Sequence, residues 1–400
     1  MKKKLVLLKA FYKKILIPSI FLLVITLIAE LLFVYLLGTY RYFTLTDKSF
    51  LNLVEDRNSL YVMWFTLNGP GEQTLSELET MPAVRDIYTY RSPFVTKASY
   101  GDTDIRIIFT NTELFRDYML LNAKSYFSET GMEGGVPQGI AVGDFINTNG
   151  RARDIELSFG GETMKVRVLG NIGRPYYIPS FTKAGTKMTS YEIMLPSPDT
   201  MILQDSPEMR AFLEEKGVKL SSFRNCFILT FQESTAEEKQ AVYDFLEEHD
   251  LSYADAGTIL DHSKEFTAER IRIMLPLPIY LTILATVLTL CFSVLFLHKK
   301  MELILTFYLC GCSKKRGYTI MTLSLGMIGA LATLLNAVVL FFYQQGTQTG
   351  RIPIDDFILD RSVFAFLAGY WLLLLFLSVF ASFLIYRRKS VATIRRKVDL

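Results

Sequence analysis

Four long apolar runs organise the sequence, and they cover about 15–38, 273–297, 318–343 and 363–386. Each run has roughly 24 residues, and an α-helix needs about 20 apolar residues to cross the ~30 Å hydrocarbon layer of a membrane. Glu30 is the one charged residue within the four runs. The pattern therefore predicts four transmembrane helices.

Lysine and arginine are distributed unevenly among the segments between these runs. They are concentrated in 1–14, 298–317 and 387–400, whereas 344–362 holds two arginines against three aspartates. Short segments rich in Lys and Arg stay on the cytoplasmic side of a membrane. The sequence therefore predicts a multi-pass protein of the bacterial cell membrane with both termini in the cytoplasm.

The predicted architecture is a bundle of four transmembrane helices, with a large α+β extracytoplasmic domain inserted between helices 1 and 2. The predicted segments are the cytoplasmic N-terminus (1–14), the first span (15–38), the extracytoplasmic domain (39–272), the second span (273–297), a cytoplasmic loop (298–317), the third span (318–343), an external loop (344–362), the fourth span (363–386) and a cytoplasmic tail (387–400).

The extracytoplasmic domain has two ends with similar patterns. About 58–92 and about 220–256 each show a strand, a helix and a strand. Between them, about 93–205 alternates apolar and polar residues between Gly-, Asn- and Asp-rich turns, which predicts a β-rich insert. A helical stretch at about 257–272 leads into the second span as a stalk. We expect the two βαβ-like halves to share one sheet.

Helix start signals refine these predictions. Thr74 with Glu77, and Ser234 with Glu237, have the spacing of a capping box, in which each residue binds the backbone N–H of the other. The stretch 206–217 opens on a serine and a proline and closes on a glycine, which predicts a short helix.

Composition and motifs argue against an enzyme. The formal net charge is +3, but 39–272 holds 24 Lys and Arg against 34 Asp and Glu. The chain has no GxxxxGK[ST], HExxH or GxSxG motif, and its three histidines are scattered. We therefore expect no catalytic, cofactor or metal site and no nucleic-acid partner. The acidic domain is expected to be a soluble surface, with attraction of cationic peptides as the alternative.

The cytoplasmic loop contains an apolar stretch, "ELILTFYLCGCSKKRG" at 302–317, that is too short to span a membrane. On a helix over 302–312, Glu302 and Thr306 lie together and nearly every other position is apolar. A helix that is apolar almost all round should be covered on most sides. The pattern favours a protein partner on one side; the alternative is an interfacial helix that only anchors the loop.

These features resemble the FtsX-like permeases, the MacB type of ABC-transporter permease subunit. That family has one span, a large outer domain and three further spans, and its loop carries a pattern like E-I-x-x-L-R-x-L-G-x-S and two basic residues. The chain has "ELILTFYLCGCSKKR", with one residue more between Glu302 and Gly311 and without the internal basic residue. The tail "ASFLIYRRKSVATIRRK" is also similar to the basic segment that follows the last span in the family.

The resemblance implies a separate cytoplasmic ABC ATPase, which binds ATP and magnesium and docks on the loop helix. It implies pairing with a second permease copy or a paralogue in contact with membrane lipids. The residues predicted to dock the ATPase are Glu302, Leu303, Ile304, Phe307, Tyr308, Gly311, Ser313, Lys314 and Lys315.

The cargo stays open at this point. ATP-driven movement of the outer domain would serve peptide or lipoprotein export, resistance to antimicrobial peptides, or mechanotransmission. The alternatives are a regulator of an extracytoplasmic cell-wall hydrolase and a sensor component of a signalling complex.

Two polar residues inside the predicted spans are candidates for an intramembrane role. Glu30 is a functional candidate because an ionisable group within a span is costly to keep there; the alternative is a protonated or water-facing side chain paired with backbone or tyrosine. Asn336 is expected to make a hydrogen bond between helices rather than to bind a ligand. Gly326 and Gly329 predict close packing of the third span.

Overall fold

The structure is a computed structural model of the 400-residue chain. It describes residues 16–54, 56–64, 72–93, 98–111, 128, 130–143, 145–146, 148, 151–159, 161–172, 177–179, 187–196, 199–217, 223–300, 303, 306, 309–311, 313–348, 357–359 and 361–387. The chain forms two compact units. The membrane unit comprises Met1–Tyr42 and Ala268–Leu400, and the β unit comprises Phe43–Thr267.

The helices are α1 (Leu16–Val54), α2 (Glu72–Glu79), α3 (Ser190–Ile193), α4 (Pro207–Glu215), α5 (Ala236–Glu248), α6 (Ala256–Met274), α7 (Pro276–Lys299), α8 (Lys314–Gln348) and α9 (Arg361–Arg387). The strands are β1 (Leu60–Trp64), β2 (Val84–Pro93), β3 (Ala98–Tyr100), β4 (Thr103–Thr110), β5 (Met132–Glu133), β6 (Val136–Val142), β7 (Arg153–Phe159), β8 (Glu162–Ile172), β9 (Tyr177–Pro179), β10 (Met194–Pro196), β11 (Thr200–Gln204), β12 (Phe223–Phe231) and β13 (Ser252–Asp255).

Four helical stretches of the described chain are long and apolar enough to cross a membrane. They are Leu16–Val54, Ala256–Lys299, Tyr318–Gly346 and Arg361–Phe380. Each contains most of one predicted apolar run, and α1 continues as helix well beyond the predicted end of the first span at residue 38. The protein is therefore a membrane protein with four apolar helices and a β-rich domain.

The predicted stalk at 257–272 is helical and is followed by a short break. α6 ends at Met274, and α7 begins at Pro276. Proline suits the first position of a helix because its missing N–H would have no partner there. The hydrogen-bond ladder nearly continues through the break, since the backbone N–H of Leu275 donates to the carbonyl of Ile271 at 2.8 Å.

Both βαβ-like halves contribute to one sheet, as the sequence predicts. Its antiparallel end has the order β2–β12–β1–β13. β1 is central there: Leu60 lies opposite Leu229 of β12 and Asp255 of β13. α2 and α5 cover one face, and Leu78 and Val242 on these helices are buried in a core with residues of β1 and β12.

The insert between the halves closes on itself. β4 is followed around a ring by β11, β6, β8, β7 and β3, and β3 pairs with β4 again. The closing contact is parallel, with Thr200 of β11 opposite Arg106 of β4. The apolar side chains of the ring form a second core, which includes Phe109, Val166 and Leu203. Closure leaves no free edge in these six strands, which removes a route to aggregation.

Two helix starts differ from the predicted ones. α2 begins at Glu72, so Thr74 lies inside the helix instead of capping it. The capping box of α5 is Thr235 with Glu238, one residue later than Ser234 with Glu237. Both serine and threonine are followed three positions later by glutamate, so spacing alone does not choose between them. The hydroxyl of Ser234 instead donates to the carbonyl of Gln232 at 3.1 Å.

The short helix predicted at 206–217 is confirmed as α4. The Ser206 hydroxyl accepts a hydrogen bond from the backbone N–H of Met209 at 3.1 Å, and Pro207 occupies the first helical position. Gly217 follows the helix with φ of +74°, a conformation that suits a residue without a side chain.

Candidate functional sites

The first candidate site is the loop between α7 and α8. Leu303, Thr306 and Leu309 have helical conformation, and the backbone N–H of Cys310 donates to the carbonyl of Thr306 at 3.0 Å. Gly311 then adopts φ of +85°, which is typical of the residue that ends a helix. We call the described residues at 303, 306 and 309–311 the loop helix. Of the predicted docking residues, Glu302, Ile304, Phe307 and Tyr308 lie outside the described residues.

Ser313 has a local structural role in this loop. Its hydroxyl accepts a hydrogen bond from the backbone N–H of Arg316 at 3.3 Å. That is the geometry of an N-cap, and it places Ser313 immediately before α8. Lys314 and Lys315 occupy the first turn of α8. The "GCSKK" sequence is therefore a helix stop followed by a helix start.

Exposure distinguishes the described residues of the loop helix. The side chain of Leu309 is 80% exposed, and Leu303 is half-buried. Burying a leucine side chain is worth about 1.5–3 kcal/mol. A leucine side chain this exposed is therefore available for contact with a protein or a lipid surface.

The second candidate site is a polar cluster between α1 and α8. Glu30 of α1 is fully buried, and its two carboxyl oxygens accept hydrogen bonds from α8. The hydroxyl of Thr333 donates to Oε1 at 2.7 Å, and the Nδ2 of Asn336 donates to Oε2 at 2.7 Å. The structure thus joins Glu30 and Asn336, which the sequence predicted separately, and adds Thr333.

Asn336 is held in one orientation. Its Nδ2 also donates to the backbone carbonyl of Leu27 at 3.2 Å. A carbonyl accepts hydrogen bonds and cannot donate them, so the nitrogen of the amide must face α1. The predicted hydrogen bond between helices is confirmed for Asn336, and it ends on a carboxyl group.

The other two membrane helices approach the same cluster. Tyr370 of α9 is buried and lies within electrostatic range of Glu30, and Thr282 of α7 lies beside Tyr370. Within the described residues, the hydroxyls of Tyr370 and Thr282 and the Oδ1 of Asn336 have no well-formed hydrogen bond. α8 and α9 therefore place polar groups near this carboxyl, and α7 places one beside Tyr370.

A carboxyl at this depth has an energetic consequence. Placing an ionised carboxylate at the centre of a membrane helix costs about 2.5–3.5 kcal/mol on insertion scales. The partners of Glu30 are neutral donors, and no Lys, Arg or His of the described residues contributes to its electrostatic environment. Sequence alone could have indicated Thr333, because it lies three positions before Asn336 and hence on the same helix face.

Close helix packing surrounds the cluster, as the glycines predicted. A side chain at Gly326 would collide with Leu375 of α9, and one at Gly329 would press against Trp371. The indole Nε1 of Trp371 donates to the carbonyl of Gly326 at 3.4 Å. The small residues of α8 therefore let α9 approach its backbone.

A second buried carboxylate lies in the β unit. Asp205 follows β11, and it receives Arg210 Nε at 2.7 Å and Arg91 Nε at 3.0 Å. Burial raises the pKa of Asp205, and the Arg91 guanidinium counteracts that rise. No cluster of three or more metal-ligating side chains occurs among the described residues. Asp205 therefore belongs to a structural ion pair that joins β2 to α4.

Comparisons with known proteins find little similarity. No protein-family model matches the chain, and no curated protein matches it. Among solved structures, the chain is similar to the periplasmic region of MacB from Actinobacillus actinomycetemcomitans, with a TM-score of 0.32 and 12% identity. The match covers 50% of this chain and 90% of that chain. The low score and identity describe a distant likeness, from which no function follows.

Proposed function

We propose that the chain is the membrane permease subunit of an ABC transporter. In this proposal it couples ATP hydrolysis by a separate cytoplasmic ATPase to movement of the β unit on the outer side of the cell membrane. ATP and magnesium are bound by the ATPase and not by this chain. A second copy or a paralogue completes the membrane assembly.

The observation that carries the proposal is the exposed Leu309 on the loop helix. A positive-φ glycine ends this helix, and a serine cap starts α8 two residues later. Leu309, two residues before that glycine, is 80% exposed. A docking partner would bury it, and the predicted topology places the loop in the cytoplasm with the two other short segments rich in Lys and Arg.

The β unit would be the part that acts outside the membrane. The ring of six strands and the antiparallel end are each built around a well-packed core. Each can therefore move as a rigid body. Mechanical work on a peptide, a lipoprotein or a cell-wall enzyme needs such a rigid body. Peptide or lipoprotein export and mechanotransmission are both consistent with this proposal.

The test is co-purification of the full-length chain with cytoplasmic proteins of its host. Leu309→Asp puts a charge into the proposed contact, and Leu309→Met keeps an apolar side chain of similar volume. We expect a P-loop ATPase to co-purify with the wild type and with Leu309→Met. We expect at least a tenfold loss with Leu309→Asp, since that corresponds to about 1.4 kcal/mol. Equal recovery with both variants would contradict docking on the loop helix.

A further inference from the structure

The cluster around Glu30 points to a function that is independent of the proposed ATPase. We propose that Glu30 is a proton-binding site inside the helix bundle, and that it exchanges its proton with the water at the N-terminal end of α1. The ligand is the proton itself. On binding, an O–H bond forms on the carboxylate and a proton leaves the aqueous phase; on release, the reverse occurs.

The hydrogen bonds of the cluster accommodate both states of Glu30. Asn336 is fixed as a donor by the carbonyl of Leu27, and it donates to Oε2 whether or not Oε1 carries a proton. Thr333 can act in both directions, because a hydroxyl is one donor and also an acceptor. It donates to ionised Glu30 at 2.7 Å, and its oxygen can accept the proton of the neutral acid at the same distance. The two states therefore need only a rotation of one hydroxyl.

The surroundings do not force either state. Two donors stabilise the carboxylate, whereas complete burial disfavours its charge. From the described residues, α8 presents Thr333 and Asn336, α9 presents Tyr370, and α7 presents Thr282 next to Tyr370. Tyr370 is the titratable group among them. With no cation of the described residues holding Glu30 ionised, a change of pH can change its state.

In the outward direction along α1, the described residues next to Glu30 form an apolar layer. It begins one helix turn after Glu30 with Val34, which packs with Leu340, Val363 and Leu367 in a buried cluster. The ring of Phe357 lies against Gly38, and the backbone N–H of Ile358 donates to the carbonyl of Gly38 at 3.2 Å. A proton cannot reach Glu30 easily through this layer.

The opposite direction contains buried hydroxyls and a small cavity. The cavity has a volume of about 10 Å³, the size of about one water molecule, and Thr26, Thr289 and Ser378 are among its lining residues. Thr26 lies one helical turn before Glu30 on the same face of α1. Ser293 and Ser324 are buried in the same half of the bundle. The polar groups and the cavity therefore lie on the side from which we expect Glu30 to exchange its proton.

The test is infrared difference spectroscopy of the full-length protein in lipid vesicles as the pH is varied. Protonation of a buried carboxyl produces a carboxylic-acid C=O band. We expect a band that grows as the pH falls, is absent in Glu30→Gln and shifts in frequency in Glu30→Asp. A spectrum whose pH dependence is the same in wild type and both variants would overturn the proposal. So would a Glu30 band that does not change with pH.

Thr333 provides a matched pair of variants. Thr333→Val removes the donor to the carboxylate, so we expect the midpoint of the band to move to higher pH by about one unit. Thr333→Ser keeps the hydroxyl and should leave the midpoint nearly unchanged. A midpoint that is equal in the two variants would contradict the role of Thr333.

The direction of exchange can be tested with membrane vesicles of both orientations. Dicyclohexylcarbodiimide, a lipid-soluble probe, modifies protonated carboxyls, and mass spectrometry locates the label. Protease access to an N-terminal tag reports which side faces the buffer. We expect labelling of Glu30 to follow the pH of the compartment that holds the α1 N-terminus. Labelling that follows the other compartment would overturn the proposed path.

Discussion

Two buried carboxyl groups in this protein have opposite environments. Asp205 in the β unit has a side chain that is only 4% exposed, and it contacts two arginines at 2.7 and 3.0 Å. Glu30 in the membrane unit is also buried, and its contacts are a threonine and an asparagine. One acid has charged partners, and the other has neutral ones.

The difference indicates what each carboxyl can do. A carboxylate between two arginines has a counter-charge on each side, and it holds β2 and α4 together as long as all three charges remain. A carboxyl between neutral donors can gain or lose a proton without leaving a charged partner uncompensated. The same functional group therefore forms a structural ion pair in the β unit and a proton-exchange site in the membrane unit. Four substitutions test this contrast, from the largest expected effect to the smallest.

Asp205→Asn should have the largest effect. It removes the carboxylate that Arg91 and Arg210 share, and breaking a buried pair in this way costs about 3 kcal/mol. The chain has two tryptophans, so Trp371→Phe leaves Trp64 as a fluorescent reporter of the β unit. Urea unfolding of the full-length protein in that background measures the loss. The double variant Asp205→Asn with Arg210→Gln should recover part of the lost stability. Full stability of Asp205→Asn alone would contradict the structural role of the ion pair.

Asn336→Leu should have an intermediate effect in the membrane unit. It removes one of the two donors to Glu30 and the contact with the Leu27 carbonyl, so we expect a loss of about 2 kcal/mol. Trp64→Phe leaves Trp371 as the reporter, and the unfolding of the detergent-purified chain in sodium dodecyl sulfate gives the value. Val338→Leu, on the exposed side of α8, is the control. Equal stabilities of the two variants would mean that the Asn336 bonds contribute nothing.

Glu30→Gln should cost less than about 1 kcal/mol in the same measurement. Its amide can donate to the Thr333 oxygen and its carbonyl can accept from Asn336, which reproduces the hydrogen bonds of the protonated acid. The comparison with Asp205→Asn is direct, because both variants replace a carboxyl by its amide. A loss of stability as large as that of Asp205→Asn would show that Glu30 stays ionised.

Asp154→Asn should have the smallest effect, and that effect should disappear in acid. Arg167 and Lys165 on β8 lower the pKa of Asp154 from 3.8 to about 2. A lowered pKa stabilises the folded state above about pH 4, and that contribution is lost as the pH falls towards 2. At neutral pH we expect only a small loss of stability, because the group is exposed and screened by solvent. The variant should lose less stability than the wild type between pH 4 and 2, and an equal loss would contradict the assignment.

Local patterns predicted much of this structure. The structure contains the four apolar runs as helices, the two βαβ-like halves, and the cap and stop residues of α4. Each of these features depends on residues that are close together in the sequence. The continuation of α1 to Val54 was missed, because the chain becomes more polar after residue 38 and Gly38 is a residue type that often ends helices. The capping box of α5 was predicted one residue too early, because Ser234 and Thr235 are both followed by a glutamate three positions later.

Contacts between distant parts of the chain were not predictable in the same way. The closure of the ring depends on β11 pairing with β4, about 95 residues earlier, and no periodicity in either strand specifies that partner. The Glu30 site required knowledge of which face of α8 meets α1. The sequence contained Thr333 and Asn336 on one face, but their carboxyl partner lies about 300 residues away.

The central position of β1 has a consequence for how the protein is made. β1 ends at Trp64, and both of its neighbours, β12 and β13, begin about 160 residues later or more. At a synthesis rate of about 5–20 residues per second, β1 waits roughly ten to thirty seconds for a partner. During that interval both edges of an apolar strand are unpaired, beside a first helix that is already available for insertion into the membrane. The nascent chain thus depends on membrane insertion of the first helix, or on a chaperone that binds unfolded chains, to keep β1 from pairing with the wrong strand.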